Sequence, residues 1–367
     1  MLPLRDVFEM QNKAEEFLST WKNNRGMHVI LYGGGAGITW FLKFMKKYEI
    51  PVECVIDRNK NVHVDGGIPV MSPGEAFEEY DNAIVVIAAI AHKSEIEKFI
   101  KSERPDFIVH SFDPTLEVLQ DKKYEERKAY YLQHEQELSE LEALFSDQKS
   151  KEVLSDILRG ALTSDVECYK HSASSSQYFP SFVRESLTLK ERFVDVGAFT
   201  GDSIKEFMEA VKNKFDKVYA FEPDAANIAE AYKSINDERV TFYQYGVGKD
   251  RGISYFLNEQ EKPNEAVCVT QEKTDKAFEV EVVRLDDVIK DRVTYIKMDI
   301  EGMEMDALMG GRELICRYKP KLAVSVYHKM EDIIEIPYYI NNLGLDYKLY
   351  LRHYWDCNGT DTILFAI

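Results

Sequence analysis

The stretch RFVDVGAFTGDS, residues 192–203, decides the fold class of the second half of this chain. Residues 193–196 predict a short strand, and the glycines at 197 and 201 predict a tight turn after it. A helix follows, because apolar side chains recur at helical spacing at Ile204, Phe207, Met208 and Val211. A strand, a glycine turn and a helix in this order bring the backbone close to a ligand at the helix N-terminus, as in open α/β sheets.

An acidic residue stands where the next predicted strand ends. The strand at 217–221 leads into Glu222 and Pro223, about 20 residues beyond the glycine turn. A carboxylate at this point can accept hydrogen bonds from a ribose diol. We therefore expect Glu222 to bind a ribose and Asp195 to orient the turn and the amino-acid end of the ligand.

Three more predicted strands of the second half end at residues suited to ligand binding or chemistry. These strands are 240–245, 293–298 and 322–327, and they are followed by Gly246 and Val247, by Asp299 and Glu301, and by His328. Open parallel sheets bind ligands at the carboxyl ends of their strands. The acidic and imidazole groups are thus expected to converge, with Gly246 and Val247 as an edge for an adenine ring.

A similar order occurs near the N-terminus. The predicted strand at 28–32 is followed by Gly33-Gly34-Gly35-Ala36-Gly37 and by a helix, and Asp57 ends the next strand at a distance that suits a dinucleotide ribose. Further strands and helices alternate after it, so the first half also predicts a parallel Rossmann-like sheet. The third position of the dinucleotide fingerprint is Ile38 instead of glycine, which leaves NAD binding an open alternative.

Composition excludes several classes of protein. The net charge of −18 and the pI near 5 argue against nucleic acid as a partner. Five scattered cysteines without CxxC spacing indicate neither a disulfide framework nor a zinc site. The longest apolar run, 83–91, is far shorter than the roughly 20 residues of a membrane span. We therefore expect a cytoplasmic protein without a membrane span.

Four ordered motifs of the second half carry a resemblance to a known family. They are FVDVGAFTGDS, YAFEPD, IKMDIEGMEMDAL and LAVSVYH. In this order they resemble the FkbM-type methyltransferases, a branch of the Rossmann-like class I S-adenosylmethionine enzymes, over residues 192–367. The resemblance implies a seven-stranded sheet whose last two strands, expected at 347–354 and 360–367, form an antiparallel pair.

The resemblance also implies S-adenosylmethionine as the cofactor, held by the turn after the first strand and by the carboxylate after the second. The candidate cofactor-binding residues are Asp195, Gly197, Ala198, Gly201, Glu222, Pro223, Gly246, Val247, Asp299, Gln177 and Tyr178. Gln177 and Tyr178 belong to the segment 175–179, which is either a lid over the cofactor or a linker with aromatic anchors.

Catalysis is expected at Asp299, Glu301 and His328, which the resemblance implies face the acceptor. FkbM-like enzymes typically methylate hydroxyl oxygens, often on natural products or sugars. A hydroxyl is a poor nucleophile at neutral pH, and His328 is the expected general base because the ordinary pKa of histidine lies near neutrality. A Mg²⁺ ion on Asp299 and Glu301 is an alternative, but we assign no metal site.

The predicted organisation is a Rossmann-like, nucleotide-binding-like domain at 1–118, a helical connection with a lid at 119–185, and a methyltransferase domain at 186–367. Residues 29–70 are also similar to N-terminal domains of nucleotide-sugar and polysaccharide-tailoring proteins, which suggests a carbohydrate context. Whether the first glycine turn binds a ligand stays open.

The leading functional hypothesis is an O-methyltransferase that modifies a hydroxyl of a sugar or of a polysaccharide or glycolipid precursor. One alternative is an NAD-dependent oxidoreductase that acts through the first domain, although no Tyr-x-x-x-Lys group stands out there. Another is a non-catalytic nucleotide-binding scaffold. The expected partner is a small-molecule or glycan acceptor, and the sequence is compatible with a homo-oligomer.

Overall fold

The computed structural model describes residues 7–35, 37–257, 268–270 and 277–367, so Ala36 of the first glycine turn lies outside it. The chain divides into two compact units. The first comprises the described residues through Leu138 together with Glu152–Ala173 and Trp355–Thr360. The second comprises Ser139–Lys151, Ser174–Tyr354 and Asp361–Ile367. The domain limits expected at 118 and 185 stay a prediction.

The strands of the described residues form three sheets. In chain order they are β1 His28–Tyr32, β2 Cys54–Ile56, β3 Val70–Met71, β4 Ala83–Ile87, β5 Ile108–His110, β6 Arg192–Val196, β7 Lys217–Phe221, β8 Val240–Tyr243, β9 Gly246–Val247, β10 Gly252–Leu257, β11 Cys268–Thr270, β12 Ala277–Val283, β13 Tyr295–Met298, β14 Lys321–Ser325, β15 Leu349–His353 and β16 Thr362–Ala366.

The α-helices of the described residues lie mostly between these strands. They are α1 Lys13–Asn23, α2 Ile38–Lys47, α3 Pro73–Glu79, α4 Lys93–Glu103, α5 Thr115–Leu119, α6 Tyr124–Gln133, α7 Glu135–Leu144, α8 Gln148–Thr163, α9 Ser181–Ser186, α10 Asp202–Ala210, α11 Ala225–Ser234, α12 Leu285–Val288, α13 Glu304–Gly310, α14 Arg312–Tyr318 and α15 Asp332–Asn341. Within the described ranges, no helix is both long enough and apolar enough to span a membrane.

The first unit is built on a five-stranded parallel sheet in the order β3-β2-β1-β4-β5. Its central strands β1 and β4 are almost wholly buried, because helices cover both faces of a parallel sheet. The strand order reverses between β1 and β4, where such sheets usually bind ligands. The Rossmann-like sheet predicted for the first half is confirmed.

The second unit contains a seven-stranded sheet in the order β15-β16-β14-β13-β6-β7-β8. Strands β14, β13, β6, β7 and β8 run parallel, whereas β16 pairs antiparallel with both β14 and β15. The expected methyltransferase sheet with its antiparallel last pair is therefore confirmed. Because β6 and β13 are adjacent, the loops after them open at the same edge of the sheet.

A smaller four-stranded sheet follows β8 along the chain, in the order β11-β10-β12-β9. It changes the expected place of Gly246 and Val247. These two residues form β9, which pairs in parallel with β12 instead of prolonging β8. Both are buried, and β9 is the edge strand of this smaller sheet. Their expected role beside an adenine ring stays a prediction.

Candidate active site

A pocket of about 270 Å³ opens at the carboxyl ends of β6, β7 and β13 in the second unit. Most of the predicted site residues line it, namely Gln177, Tyr178, Gly197, Ala198, Glu222, Pro223, Asp299 and Glu301. The other predicted residues are not among its lining residues: Asp195, Gly201, Gly246, Val247 and His328. Asp195 and His328 instead support the wall from behind, as their contacts show.

The turn after β6 requires glycine for a reason that lies in the protein itself. Gly197 has φ +83°, and a Cβ atom there would lie 2.0 Å from the backbone oxygen of Asp299. The sequence suggested that the glycine turn brings the backbone close to a ligand, but the closest obstacle to a side chain at position 197 is the end of β13. At Gly201, with φ +82°, a Cβ atom would instead meet the flexible side chain of Ile235. Both glycines therefore allow the turn to pack against neighbouring elements.

Glu222 follows β7 and is only 5% exposed. Its carboxylate accepts hydrogen bonds from the backbone N–H of Phe199 at 2.9 Å, from that of Asp224 at 3.0 Å and from the Asn227 amide at 3.2 Å. Burial nevertheless raises its pKa above the ordinary value. A carboxylate offers about four acceptor positions, so these bonds fix Glu222 at the pocket and leave capacity for a ligand hydroxyl.

A buried ion pair lies beneath the same turn. Lys297 and Asp195 are register partners on β13 and β6, and the Lys297 Nζ atom is 3.1 Å from Asp195 Oδ1. This Nζ also donates to the backbone oxygen of Gly197 at 2.6 Å. Asp195 in addition accepts a hydrogen bond from the Ser203 hydroxyl. Asp195 thus orients the turn through Lys297 and Ser203.

Asp299 is held in place by hydroxyl donors. It accepts hydrogen bonds from the hydroxyls of Tyr178 at 2.5 Å, Ser325 at 2.8 Å and Tyr327 at 3.3 Å. Burial alone would raise the pKa of Asp299, but the charge of Lys297, that of a protonated His328 and these hydroxyl bonds hold it below its ordinary value. Asp299 is therefore ionised at neutral pH.

The pKa of Glu301 is shifted in the opposite direction. Burial, together with Asp299, Glu304 and Asp361, raises its pKa to about 7, although His328 opposes the shift. Its backbone adopts φ +55°, a left-handed conformation that is rare outside glycine and often found at functional sites. Glu301 lines the pocket and is a carboxyl group that can gain or lose a proton near neutral pH.

His328 lies behind the pocket wall and is 5% exposed. Its Nδ1 atom is 2.9 Å from Glu304 Oε1, and its Nε2 atom is 3.5 Å from Glu301 Oε2 and 3.7 Å from Asp299 Oδ1. Burial lowers the pKa of His328, but the three carboxylates outweigh it and raise the pKa to about 10. A protonated imidazole does not suit the role of general base that the sequence suggested. It balances the charge of the acidic residues.

Asp299, Glu304 and His328 also form a group with the ligand types of a metal site. One ligand atom from each lies within 4.8 Å of the others. Glu304 is fully buried, and its Oε1 atom also accepts a hydrogen bond from the backbone N–H of Ile300 at 2.8 Å. The imidazolium of His328 offsets one of the negative charges of this group.

The segment before the sheet forms a fixed part of the pocket wall. Tyr178 donates to Asp299, its backbone oxygen accepts a hydrogen bond from the Tyr295 hydroxyl, and Gln177 donates from Nε2 to Asp361 Oδ1 at 2.8 Å. The neighbouring Phe179 is fully buried in the core of the second unit. Of the two expectations for this segment, these contacts fit a linker with aromatic anchors better than a free lid.

The first glycine turn is arranged differently. Asp57 Oδ2 accepts a hydrogen bond from the backbone N–H of Gly34 at 2.8 Å, and Val62 packs directly over Gly34. A pocket of about 220 Å³ in the first unit is lined by Gly35, Gly37 and Trp40, but Asp57 is not one of its lining residues. The carboxylate expected to hold a dinucleotide ribose is therefore separate from this pocket, unlike Glu222 in the second unit.

Several residues of the site were missed by sequence reasoning. Lys297 left a signal, because a lysine within the apolar strand at 293–298 is rarely buried unless it is paired. Glu304 left little signal, since acidic residues are ordinary in the first turn of a helix. Asp361 lies far away in sequence and joins the pocket only through the pairing of β16 with β14.

Comparison with known proteins gives a family match for part of the chain and a similar crystal structure. Residues 195–349 match the family model described as the methyltransferase FkbM domain. Over its whole length the chain is similar to the crystal structure of methyltransferase FkbM from Methylobacillus flagellatus KT, with 23% identity, 94% of that chain covered and a TM-score of 0.72. At this identity the likeness shows a shared fold. No curated protein matched the sequence.

More distant solved structures cover about half of the chain. An rRNA methylase from Streptococcus thermophilus shares 16% identity over 53% of this chain and 97% of its own, with a TM-score of 0.34. Precorrin-6y C5,15-methyltransferase from Geobacter metallireducens GS-15 shares 11% identity over 53% of this chain and 90% of its own, with a TM-score of 0.30.

Proposed function

We propose that this chain, whose residues 195–349 match the methyltransferase FkbM domain, methylates a hydroxyl oxygen of a neutral sugar or of a sugar-containing polysaccharide or glycolipid precursor. The proposed methyl donor is S-adenosylmethionine. The observation that carries the proposal is that Glu222 and Glu301 line one pocket at the carboxyl ends of β6, β7 and β13. One carboxylate suits a ribose and the other suits a proton transfer.

The residues present fit the cofactor. Glu222 retains acceptor capacity for a ribose hydroxyl, and the turn at Gly197 brings its backbone to the pocket without a side chain. Phe199 and Ile300 supply apolar surface to the same lining. When bound, S-adenosylmethionine supplies a methyl group on a positively charged sulfur, which passes to the acceptor oxygen as the carbon–sulfur bond breaks.

Glu301 is the general base of this proposal. As the acceptor oxygen bonds to the methyl carbon, its proton passes to the Glu301 carboxylate, which is half ionised near pH 7. Asp299 cannot take this role as readily, because its lowered pKa makes it a weak base. His328 keeps its proton and holds the carboxylates in place. Two neighbouring carboxyl groups with opposite pKa shifts are a common pattern of acid–base assignment.

The charges of the pocket favour a neutral polyhydroxy acceptor. Five lining residues carry carboxyl groups, namely Asp202, Glu222, Asp299, Glu301 and Asp361, while Lys297 is the one basic residue of this lining. Carboxylates accept hydrogen bonds from hydroxyl groups but repel phosphate. Free sugars and neutral glycosides are therefore better candidates than sugar phosphates.

The test is methyl transfer from S-adenosylmethionine with a labelled methyl group. The purified chain is incubated with neutral sugars and glycosides, with the matching sugar phosphates and with amine acceptors. Label in an acid-stable ether of a neutral sugar supports the proposal. Label on nitrogen only, or on phosphorylated acceptors only, contradicts the proposed acceptor class.

A further inference from the structure

Lys297 occupies an unusual position for a lysine. It lies on the central strand β13, is 3% exposed and yet lines the pocket. Buried lysines are rare unless they are paired, and the pairing with Asp195 explains how the charge is tolerated. Asp195 and Asp299 outweigh the effect of burial and hold the pKa of Lys297 above its ordinary value. Lys297 is therefore a permanent cation at the pocket wall.

The ammonium group of Lys297 has more N–H donors than the described residues use. Such a group has three N–H donors. It donates one hydrogen bond, to the backbone oxygen of Gly197 at 2.6 Å, and it forms an ion pair with Asp195 Oδ1 at 3.1 Å. The Tyr178 ring, 5.0 Å from Nζ, is a further neighbour. All three neighbours border the turn where the pocket begins.

The amino-acid end of S-adenosylmethionine carries a carboxylate, which needs a positive partner. The remaining charged residues of the lining are acidic and would repel this group. Ionised hydrogen bonds between an ammonium and a carboxylate are among the stronger ones in proteins. We propose that Lys297 binds the α-carboxylate of the cofactor and thereby sets the direction in which the cofactor lies. This inference rests on the proposed function.

The alternative is that Lys297 only neutralises Asp195 and supports the turn. The two roles predict different responses to two ligands. S-Adenosylhomocysteine contains the amino-acid end, whereas 5′-methylthioadenosine contains the adenosine and the sulfur but no carboxylate. If Lys297 is purely structural, its loss would disturb the turn and weaken the binding of both ligands. If Lys297 binds the carboxylate, its loss would weaken only the binding of S-adenosylhomocysteine.

The experiment is calorimetric titration of both ligands into the wild type and Lys297→Met. A charge-assisted hydrogen bond is worth enough that we expect S-adenosylhomocysteine to bind about 10- to 100-fold more weakly to the variant. The affinity for 5′-methylthioadenosine should change by less than about threefold. If the single variant fails to fold, the double variant Asp195→Asn/Lys297→Met replaces it, because it leaves no unpaired carboxylate at position 195. It should show the same difference between the two ligand affinities.

Lys321→Met is the matched control. Lys321 forms a comparable ion pair in the same sheet, 3.3 Å from the buried Glu191, but it does not line the pocket. The variant Lys321→Met should therefore leave the affinities for both ligands unchanged. Equal weakening of the two ligands by Lys297→Met, or no weakening of either, would overturn the inference while leaving the proposed function intact. If the wild type binds neither ligand, the proposed function itself fails.

Discussion

Neighbouring groups determine the roles of the acidic residues in the pocket. Asp299 and Glu301 are two positions apart, yet hydroxyl donors and Lys297 lower the pKa of the first, whereas burial raises that of the second to about 7. His328 lies within 3.7 Å of both and keeps its proton. We therefore propose Glu301, rather than His328, as the proton acceptor near neutral pH.

Replacing Glu301 tests this assignment. Glu301→Gln keeps the shape of the side chain but removes the base, so we expect kcat to fall by about 10²- to 10⁴-fold while the affinity for S-adenosylhomocysteine stays unchanged. In the wild type, kcat should rise with pH through about 7 as Glu301 ionises. Glu209→Gln, an exposed change on α10, is the control. A kcat that keeps the same pH profile in Glu301→Gln would exclude Glu301 as the base.

The pKa of His328 makes a prediction about stability. Its value rises from 6.5 to about 10 on folding, so the stabilising contribution is fully present below pH 6.5 and is lost as the pH rises towards 10. The free energy of unfolding should fall by up to about 1.4 kcal/mol per pH unit in this window. Urea unfolding at several pH values measures this slope.

His328→Gln is the corresponding variant. It should be less stable than the wild type by about 3–5 kcal/mol at neutral pH, because the buried Glu304 loses its partner. It should also lose most of the slope between pH 6.5 and 10. An unchanged slope would mean that His328 is neutral in the folded protein.

Sequence reasoning at the scale of residues found the groups that follow parallel strands. Glu222, Asp299 and Glu301 could be placed because the carboxyl ends of such strands meet at one edge. The protonation of His328 could not be predicted, since it depends on Glu304, which lies behind it. The pairing of Lys297 with Asp195 depends on the register of β13 against β6, which a single sequence does not reveal.

At the scale of elements, the turn between β6 and α10 depends on close contact with the end of β13. A methyl group at position 197 would lie 2.0 Å from the Asp299 backbone oxygen. The alanine that carries it would also have to adopt φ +83°. Gly197→Ala should therefore destabilise the protein by more than about 1–3 kcal/mol and also weaken S-adenosylhomocysteine binding. Substitution at this glycine changes the fold as well as the ligand site.

Gly252→Ala is the matched control, because a Cβ atom at Gly252 has no neighbour within 4 Å. Urea midpoints of the two variants measure the difference. Similar midpoints would show that the turn can move away from β13, and the close contact would then not explain the glycine.

The strands of both large sheets were predictable, because apolar runs alternate with amphipathic helices. The seven-stranded sheet with its antiparallel last pair was expected for the second unit from the family resemblance of its motifs. The separate sheet that contains β9 was not expected, since β9 has only two residues and pairs with β12, more than 30 positions away in sequence. The role of Gly246 and Val247 as an edge for an adenine ring stays a prediction.

At the scale of the whole molecule, two compact units each contain a glycine turn that follows a strand. The carboxylate after the second strand accepts a hydrogen bond from the turn in both units, Asp57 from Gly34 and Glu222 from Phe199. Glu222 lines the pocket beside its turn, whereas Asp57 does not line the described pocket of the first unit. We therefore place the proposed cofactor site in the second unit and disfavour an NAD-dependent reaction in the first.

The most direct test of this central claim is calorimetric titration of the full chain with S-adenosylhomocysteine and, separately, with NAD. We predict one site for S-adenosylhomocysteine per chain, lost in Glu222→Ala and kept in Asp57→Ala, and no binding of NAD. Binding of NAD that is lost in Asp57→Ala, without binding of S-adenosylhomocysteine, would contradict the account and move the chemistry to the first unit.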